Sequence, residues 1–133
     1  MAQFNLEILT PDGSVYNGGA DSILVRTDDG DVEILKGHAN YMASVGTGRV
    51  RIKNGEEKIF ASVSGGFLSV FEGEVKLVAV TFEYAKDIDL TRAQKAKARA
   101  EQILASEKDE KLVKIAKAKL SRAISRINVS TMK

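Results

Sequence analysis

The chain has 133 residues, 44% hydrophobic and 29% charged, with no Cys, no Trp, one Pro and one His. This composition belongs to a globular protein with a real core; it excludes disordered and fibrous chains, and without Cys there are neither disulfides nor thiolate metal sites. The formal charge of +2 hides two unlike parts: residues 1–86 hold all 11 Gly and 8 Lys+Arg against 12 Asp+Glu, whereas residues 87–133 hold no Gly or Pro and 12 against 6.

From the start of the chain the apolar residues recur at period two. Phe4, Leu6 and Ile8 alternate with Asn5 and Glu7, Val50 and Ile52 with Arg51 and Lys53, and Val75 and Leu77 flank Lys76. Such alternation marks strands with one wet and one buried face. The breaks fall at Asp12-Gly13, Gly18-Gly19, Asp29-Gly30, Gly46 and Gly48, Asn54-Gly55, Gly65-Gly66 and Gly73. Asn54-Gly55 predicts a type I′ hairpin pairing strands near 47–53 and 57–63. About nine or ten short strands at this spacing read as an antiparallel β sandwich or flattened barrel over residues 1–86.

After Glu83 the period becomes helical. Leu90, Ala93, Ala96, Ala100, Ile103 and Leu104 form one stripe, and Leu112, Ile115, Ala116, Leu120, Ala123, Ile124 and Ile127 a second. Asp87 or Asp89 is placed to cap the first helix, and the polar turn Ser106 to Asp109 to cap the second, so residues 87–133 predict an antiparallel helical hairpin. The first stripe is rich in Ala and buries little surface, so the hairpin must lean on a partner, a ligand or the β domain; conditional docking is expected. The longest uncharged apolar runs, such as Leu77 to Val80, fall far short of the ~20 residues that span a bilayer, and the first residues lack the basic and apolar regions of a signal peptide.

At about 100° per residue Arg92 and Arg99 share one ridge of the first helix, and Arg122 and Arg126 one ridge of the second. In an antiparallel hairpin Arg92, Arg122 and Arg126 converge near Asp89 and Glu83. Guanidiniums in excess over carboxylates suit a polyphosphate, which Arg forks bind in bidentate fashion. The plainer reading is a set of solvated ion pairs worth ~0–1 kcal/mol each. No Walker loop is present, so a nucleotide here would be held and not cleaved. Nucleic acid is disfavoured, because the hairpin has no aromatic residue for stacking; an acidic protein surface is a better partner. His38 stands alone, without the constellation that catalysis or zinc binding requires, and reads as a structural or interface residue.

Three stretches carry a family resemblance: Thr10-Pro11-Asp12-Gly13-x-Val15-Tyr16; Gly30-Asp31-Val32-Glu33-Ile34-Leu35-x-Gly37-His38; and Ser64-Gly65-Gly66-Phe67-Leu68-x-Val70. They precede Ile88-Asp89-x-x-Arg92-Ala93 and a basic hairpin, and over essentially its whole length the chain resembles the epsilon subunit of bacterial F-type ATP synthases. The resemblance implies a ten-stranded sandwich with a C-terminal helical hairpin, and a non-catalytic rotor subunit at the cytoplasmic face of the cell membrane. The implied partners are the gamma subunit and the c-subunit ring, with Asp31, Glu33 and His38 in the loop that faces them. It further implies a mobile hairpin that permits activity when folded and, when extended, meets acidic beta (and alpha) subunits and blocks ATP hydrolysis. In several such proteins the folded hairpin binds ATP; the matching positions here are Glu83, Ile88, Asp89, Arg92, Ala93, Arg99, Arg122 and Arg126. Whether Mg²⁺ accompanies the ATP is not written in the sequence. Lys36 and Asn40 stand where the family often has proline. The alternative function is a free-standing ATP-sensing module.

Overall fold

The structure is a computed structural model that describes residues 2–132. Its elements are β1 (Phe4–Thr10), β2 (Gly13–Ala20), β3 (Ser22–Thr27), β4 (Gly30–Leu35), β5 (Tyr41–Asn54), β6 (Glu57–Phe71) and β7 (Glu74–Tyr84), one 3₁₀ turn (Ala85–Asp87), then α1 (Leu90–Ser106) and α2 (Glu110–Ser130). The strands form a sheet in the order β2-β1-β7-β6-β5-β3-β4, with β1 and β7 parallel and the other pairs antiparallel.

A sheet becomes a sandwich when its strands change which face points inward. In β5 the buried residues run Val50 and Ile52 in one half but Val45 in the other; in β6, Ala61 and Val63, then Leu68 and Val70. In β7 they are Val75, Leu77 and Ala79, after which Phe82 and Tyr84 turn toward the core. Each strand loses its even alternation at one level, near Gly46 to Gly48, Gly65-Gly66 and Val80-Thr81, which adjoin across the ladder. This is the fold line, and Gly65 and Gly66 cross it with φ of 74° and 109°. The two halves close on a core that includes Leu6, Ile8, Ile23, Ile34, Ile52, Leu68 and Leu77, all 0% exposed.

The described residues therefore hold seven strands and not nine or ten. The glycines at the fold line read as chain breaks, yet β5 and β6 run through them as strands of 14 and 15 residues. Divided there, the three long strands would bring the number to the ten that the resemblance implies.

The strands flanking Asn54-Gly55 pair as predicted, but the turn differs. Asn54 pairs with Glu57, so the central residues are Gly55 and Glu56, and only Gly55 has positive φ, at 65°. The turn with two left-handed central residues is Glu72-Gly73, at φ 52° and 79°. A glutamate tolerates that conformation at some cost, and here its N–H donates to Asn40 Oδ1 at 3.0 Å. Asn40 thus ties the β4–β5 loop to this turn by a hydrogen bond where the family often uses a proline.

Two tyrosines lock the edge strand β2. Tyr84 Oη donates to the Val15 carbonyl, and Tyr16 Oη to the Gly19 carbonyl at 2.8 Å. Burial is the main cause that pushes both phenols above their ordinary range, reinforced for Tyr84 by Tyr16 and Asp87 and for Tyr16 by Glu57 and Asp21, against a lowering bond from Asn54. The folded protein holds these protons more tightly than the unfolded chain. The contribution is therefore fully present below pH ~10 and is lost as pH rises through the higher folded values. Urea titrations between pH 8 and 11.5 are expected to show stability falling above pH ~10, and Tyr84→Phe to flatten part of that fall.

In the hairpin Asp89 caps α1, accepting from Arg92 N–H at 3.1 Å, and Asp109 caps α2, accepting from Lys111 and Leu112 N–H at 2.9 and 3.3 Å. Ala93 and Ala100 of α1, with Ala116 and Ala123 of α2, are buried and form the seam between the helices. Leu90, Leu112, Ile115 and Ile124 belong to the predicted stripes but stay 39–47% exposed. Alanines let the helix axes approach closely, which leaves larger flanking side chains outside the seam. A second buried face of α2, absent from the predicted stripe, carries Ser125, Val129 and Ser130 where the helix rests on β5 and β6.

Candidate functional site

Residues three and four apart on a helix align, so Arg92, Lys95, Arg99 and Ile103 form a ridge on α1, and Lys119, Arg122 and Arg126 a ridge on α2. The antiparallel hairpin faces these ridges toward each other, and β7 adds Glu83 from below. Together they enclose a cleft of about 580 Å³, lined by Glu83, Asp87, Asp89, Arg92, Ala93, Lys95, Ala96, Arg99, Ala100, Ile103, Lys119, Arg122 and Arg126. The predicted convergence of Arg92, Arg122 and Arg126 near Asp89 and Glu83 is present.

Six cations here face three carboxylates, and the carboxylates are partly engaged. Arg126 Nε lies 3.2 Å from Glu83 Oε1, and Asp89 is occupied in capping α1. Three positive charges are left in excess, while Ala93, Ala96, Ala100 and Ile103 supply an apolar floor. The volume lies within the usual ligand range of about 300–1,000 Å³. Cationic forks beside a flat apolar surface fit a nucleotide polyphosphate with its base. Among the described residues no His, Cys, Asp and Glu group is arranged to hold a metal ion.

Seven of the eight predicted nucleotide residues line this cleft. Ile88 does not: it is half-buried after the 3₁₀ turn, its N–H bonded to the Ala85 carbonyl at 3.3 Å, where it shapes the entry into α1. Lys95 and Lys119 went unpredicted, although each stands three residues from a chosen arginine on the same ridge. Asp87 was weighed only as a cap.

The predicted partner residues do not form one loop. Asp31 and Glu33 are strand residues of β4, because Gly30 to Leu35 pairs along its length with β3. Asp31 lies 3.8 Å from both Arg26 Nε and Arg49 Nη2, and Glu33 pairs with Arg51. His38 lies beyond the other end of β4, in the loop, edge-on to Tyr41 with centroids 5.5 Å apart. The two ends of this six-residue strand are five rises of ~3.3 Å apart.

The hairpin is held to the sandwich beside the cleft. Ser125 Oγ on α2 and Ser62 Oγ on β6 share a buried hydrogen bond of 2.8 Å, and Ser62 pairs across the ladder with Glu83, the partner of Arg126. Removing one hydroxyl strands the other in a buried site, at a cost of about 1–3 kcal/mol, whereas removing both is nearly neutral. Ser125→Ala is expected to weaken amide-exchange protection of α2, and Ser62→Ala/Ser125→Ala to recover most of it.

Residues 3–85 match the family described as "ATP synthase, Delta/Epsilon chain, beta-sandwich domain", and residues 86–131 the one described as "ATP synthase, Delta/Epsilon chain, long alpha-helix domain". The chain is 36% identical over 134 residues to the ATP synthase epsilon chain of Ruminococcus albus, covering 100% of both. It shares its fold with a chain of the Euglena gracilis mitochondrial ATP synthase OSCP/F1/c-ring structure, at TM-score 0.85 and 22% identity, covering 100% of this chain and 83% of that one. A chain of the Tetrahymena thermophila mitochondrial ATP synthase central stalk/c-ring structure matches at TM-score 0.66 and 13% identity, covering 95% of each. The sandwich followed by a docked helical hairpin, matched end to end, places this chain in the ATP synthase delta/epsilon family as an epsilon chain, a non-catalytic subunit.

Proposed function

We propose that this epsilon chain is a rotor subunit whose hairpin restrains ATP hydrolysis when extended and is held folded by ATP, which it binds without cleaving. The observation that carries this reading is the shared construction of the cationic cleft: β7, α1 and α2 all contribute, so the complete site exists only in the docked form. A ligand selective for that form stabilises it by about 2.7 kcal/mol at 100 times its dissociation constant. That suffices to decide a hairpin whose helices meet mainly through alanines.

Gamma and the c ring are the proposed partners of the sandwich, in keeping with the F1/c-ring and central-stalk assemblies from which the solved relatives come. Met42, Phe71 and Val80 are 69%, 63% and 62% exposed. They lie on the outer side of β5, β6 and β7 with Phe67, which pairs with Val78, and several large apolar residues exposed on one side of the sandwich favour an assembled rotor subunit over a free-standing sensor. No described helix is long and apolar enough to cross a membrane. The place proposed for the chain is peripheral, through its complex, at the cytoplasmic face of a bacterial membrane. In the extended state Leu112 and Ile115, with Lys111, Lys114 and Lys117, would present a basic amphipathic face to the acidic beta (and alpha) subunits.

Deleting residues 87–133 within the assembled complex tests the proposal. Copurification with gamma should persist while ATP hydrolysis rises several-fold. Loss of association would overturn the sandwich as the rotor anchor, and unchanged hydrolysis would overturn the inhibitory role of the hairpin.

A further inference from the structure

The second large groove lies on the other flank of α2. Helix positions 117, 121, 124 and 128 point roughly opposite to 119, 122 and 126, so the groove shares no residue with the nucleotide cleft. It too measures about 580 Å³ and runs between α2 and the strands β3, β4 and β5. Its charges are Arg26, Arg49 and Lys117 against Asp31 alone, an excess of two positive charges.

That single carboxylate is poorly used. It lies between two guanidiniums at 3.8 Å from each, within ion-pair range but too far for a hydrogen bond. Neither fork is saturated, and among the described residues Lys117 makes no ion pair. Gly48 contributes by having no side chain: a Cβ there would lie 2.7 Å from Arg26 Cβ, so the bare backbone lets Arg26 lie across β5 toward the groove. The α2 wall adds apolar Leu120 and Ile124.

We propose that this groove binds a phosphomonoester dianion with a compact apolar body, and that the ligand bridges α2 to the sandwich as a second effector of hairpin docking. Two excess charges match a dianion, and arginine forks match phosphate oxygens in bidentate geometry. The apolar wall accepts the body. Arg26 and Arg49 belong to the sandwich and Lys117 to α2, so the complete set of cations exists only when the hairpin is docked.

Phenyl phosphate is a suitable probe, with benzoate as the monoanionic control, in calorimetry on the full chain at low salt. Arg49→Gln and Lys117→Gln should each weaken phenyl phosphate about tenfold or more, as expected for loss of one charge-assisted contact. Asp31→Asn should tighten it several-fold, because it removes the one repelling carboxylate. A merely structural ion network predicts no gain in affinity from that substitution. Phenyl phosphate should bind better than benzoate, raise exchange protection of α2 amides 121–129, and still bind when ATP is saturating. Equal binding by all three variants, displacement by ATP, or weaker binding in Asp31→Asn would each overturn the proposal.

Discussion

Replacing Gly66 by alanine is expected to destabilise the sandwich by about 3 kcal/mol or more, through left-handed backbone strain together with a backbone clash. The residue sits at φ 109°, and an added Cβ would lie 1.8 Å from the Val78 carbonyl oxygen and 3.0 Å from Ala79 Cα. Those atoms belong to the neighbouring strand β7, which pairs Ala79 with Gly66 and cannot retreat without opening the ladder at the fold line. Against a total stability of about 5–15 kcal/mol this is a large share. Thermal unfolding should show a midpoint lower by roughly 12–24 °C. Gly55→Ala is the control: φ there is also positive, at 65°, but nothing lies within 4 Å of the added carbon, so only the conformational cost remains. A Gly66→Ala variant as stable as Gly55→Ala would show that the fold line does not depend on close strand approach.

Loss of a single arginine from the cationic cleft is expected to weaken ATP by about 10- to 150-fold, as removal of a charge-assisted contact worth ~1.5–3 kcal/mol. Arg92→Ala and Arg126→Ala probe it from opposite helices, both side chains lining the cleft. The two variants should differ in a second readout. Arg126 also pairs with Glu83 at 3.2 Å, so Arg126→Ala should loosen α2 even without nucleotide. Arg92 has no ion pair among the described residues, so Arg92→Ala should leave docking without nucleotide unchanged. Lys97, outside the lining, is the neutral control. Calorimetry and amide exchange measure both effects, and wild-type ATP affinity in both variants would exclude this cleft as the nucleotide site.

Local patterning carried much of the fold. Period-two alternation from Phe4 to Ile8, the change to helical spacing after Glu83 and the caps at Asp89 and Asp109 all appear in the structure, because each depends on residues a few positions apart. The same holds for the cleft, whose arginines follow from ridge spacing plus one assumption, that the helices run antiparallel. Lys95 and Lys119 were reachable by the same rule.

What remained hidden depends on contacts between residues far apart in the chain. Gly46, Gly48, Gly65 and Gly66 look like breaks in one dimension, but with their partner strands in place they are where long strands change faces. Asp31 and Glu33 look like loop carboxylates until β3 and β5 supply Arg26, Arg49 and Arg51 as neighbours. The buried pair Ser62 and Ser125, 63 positions apart, has no pattern to announce it. Periodicity reports which face of an element is apolar, and so the alternation, the helical stripes and the charge split at residue 86 could be read directly. Which faces meet is set by close packing and by the satisfaction of buried polar groups across the fold, and these exist only once the chain has closed on itself.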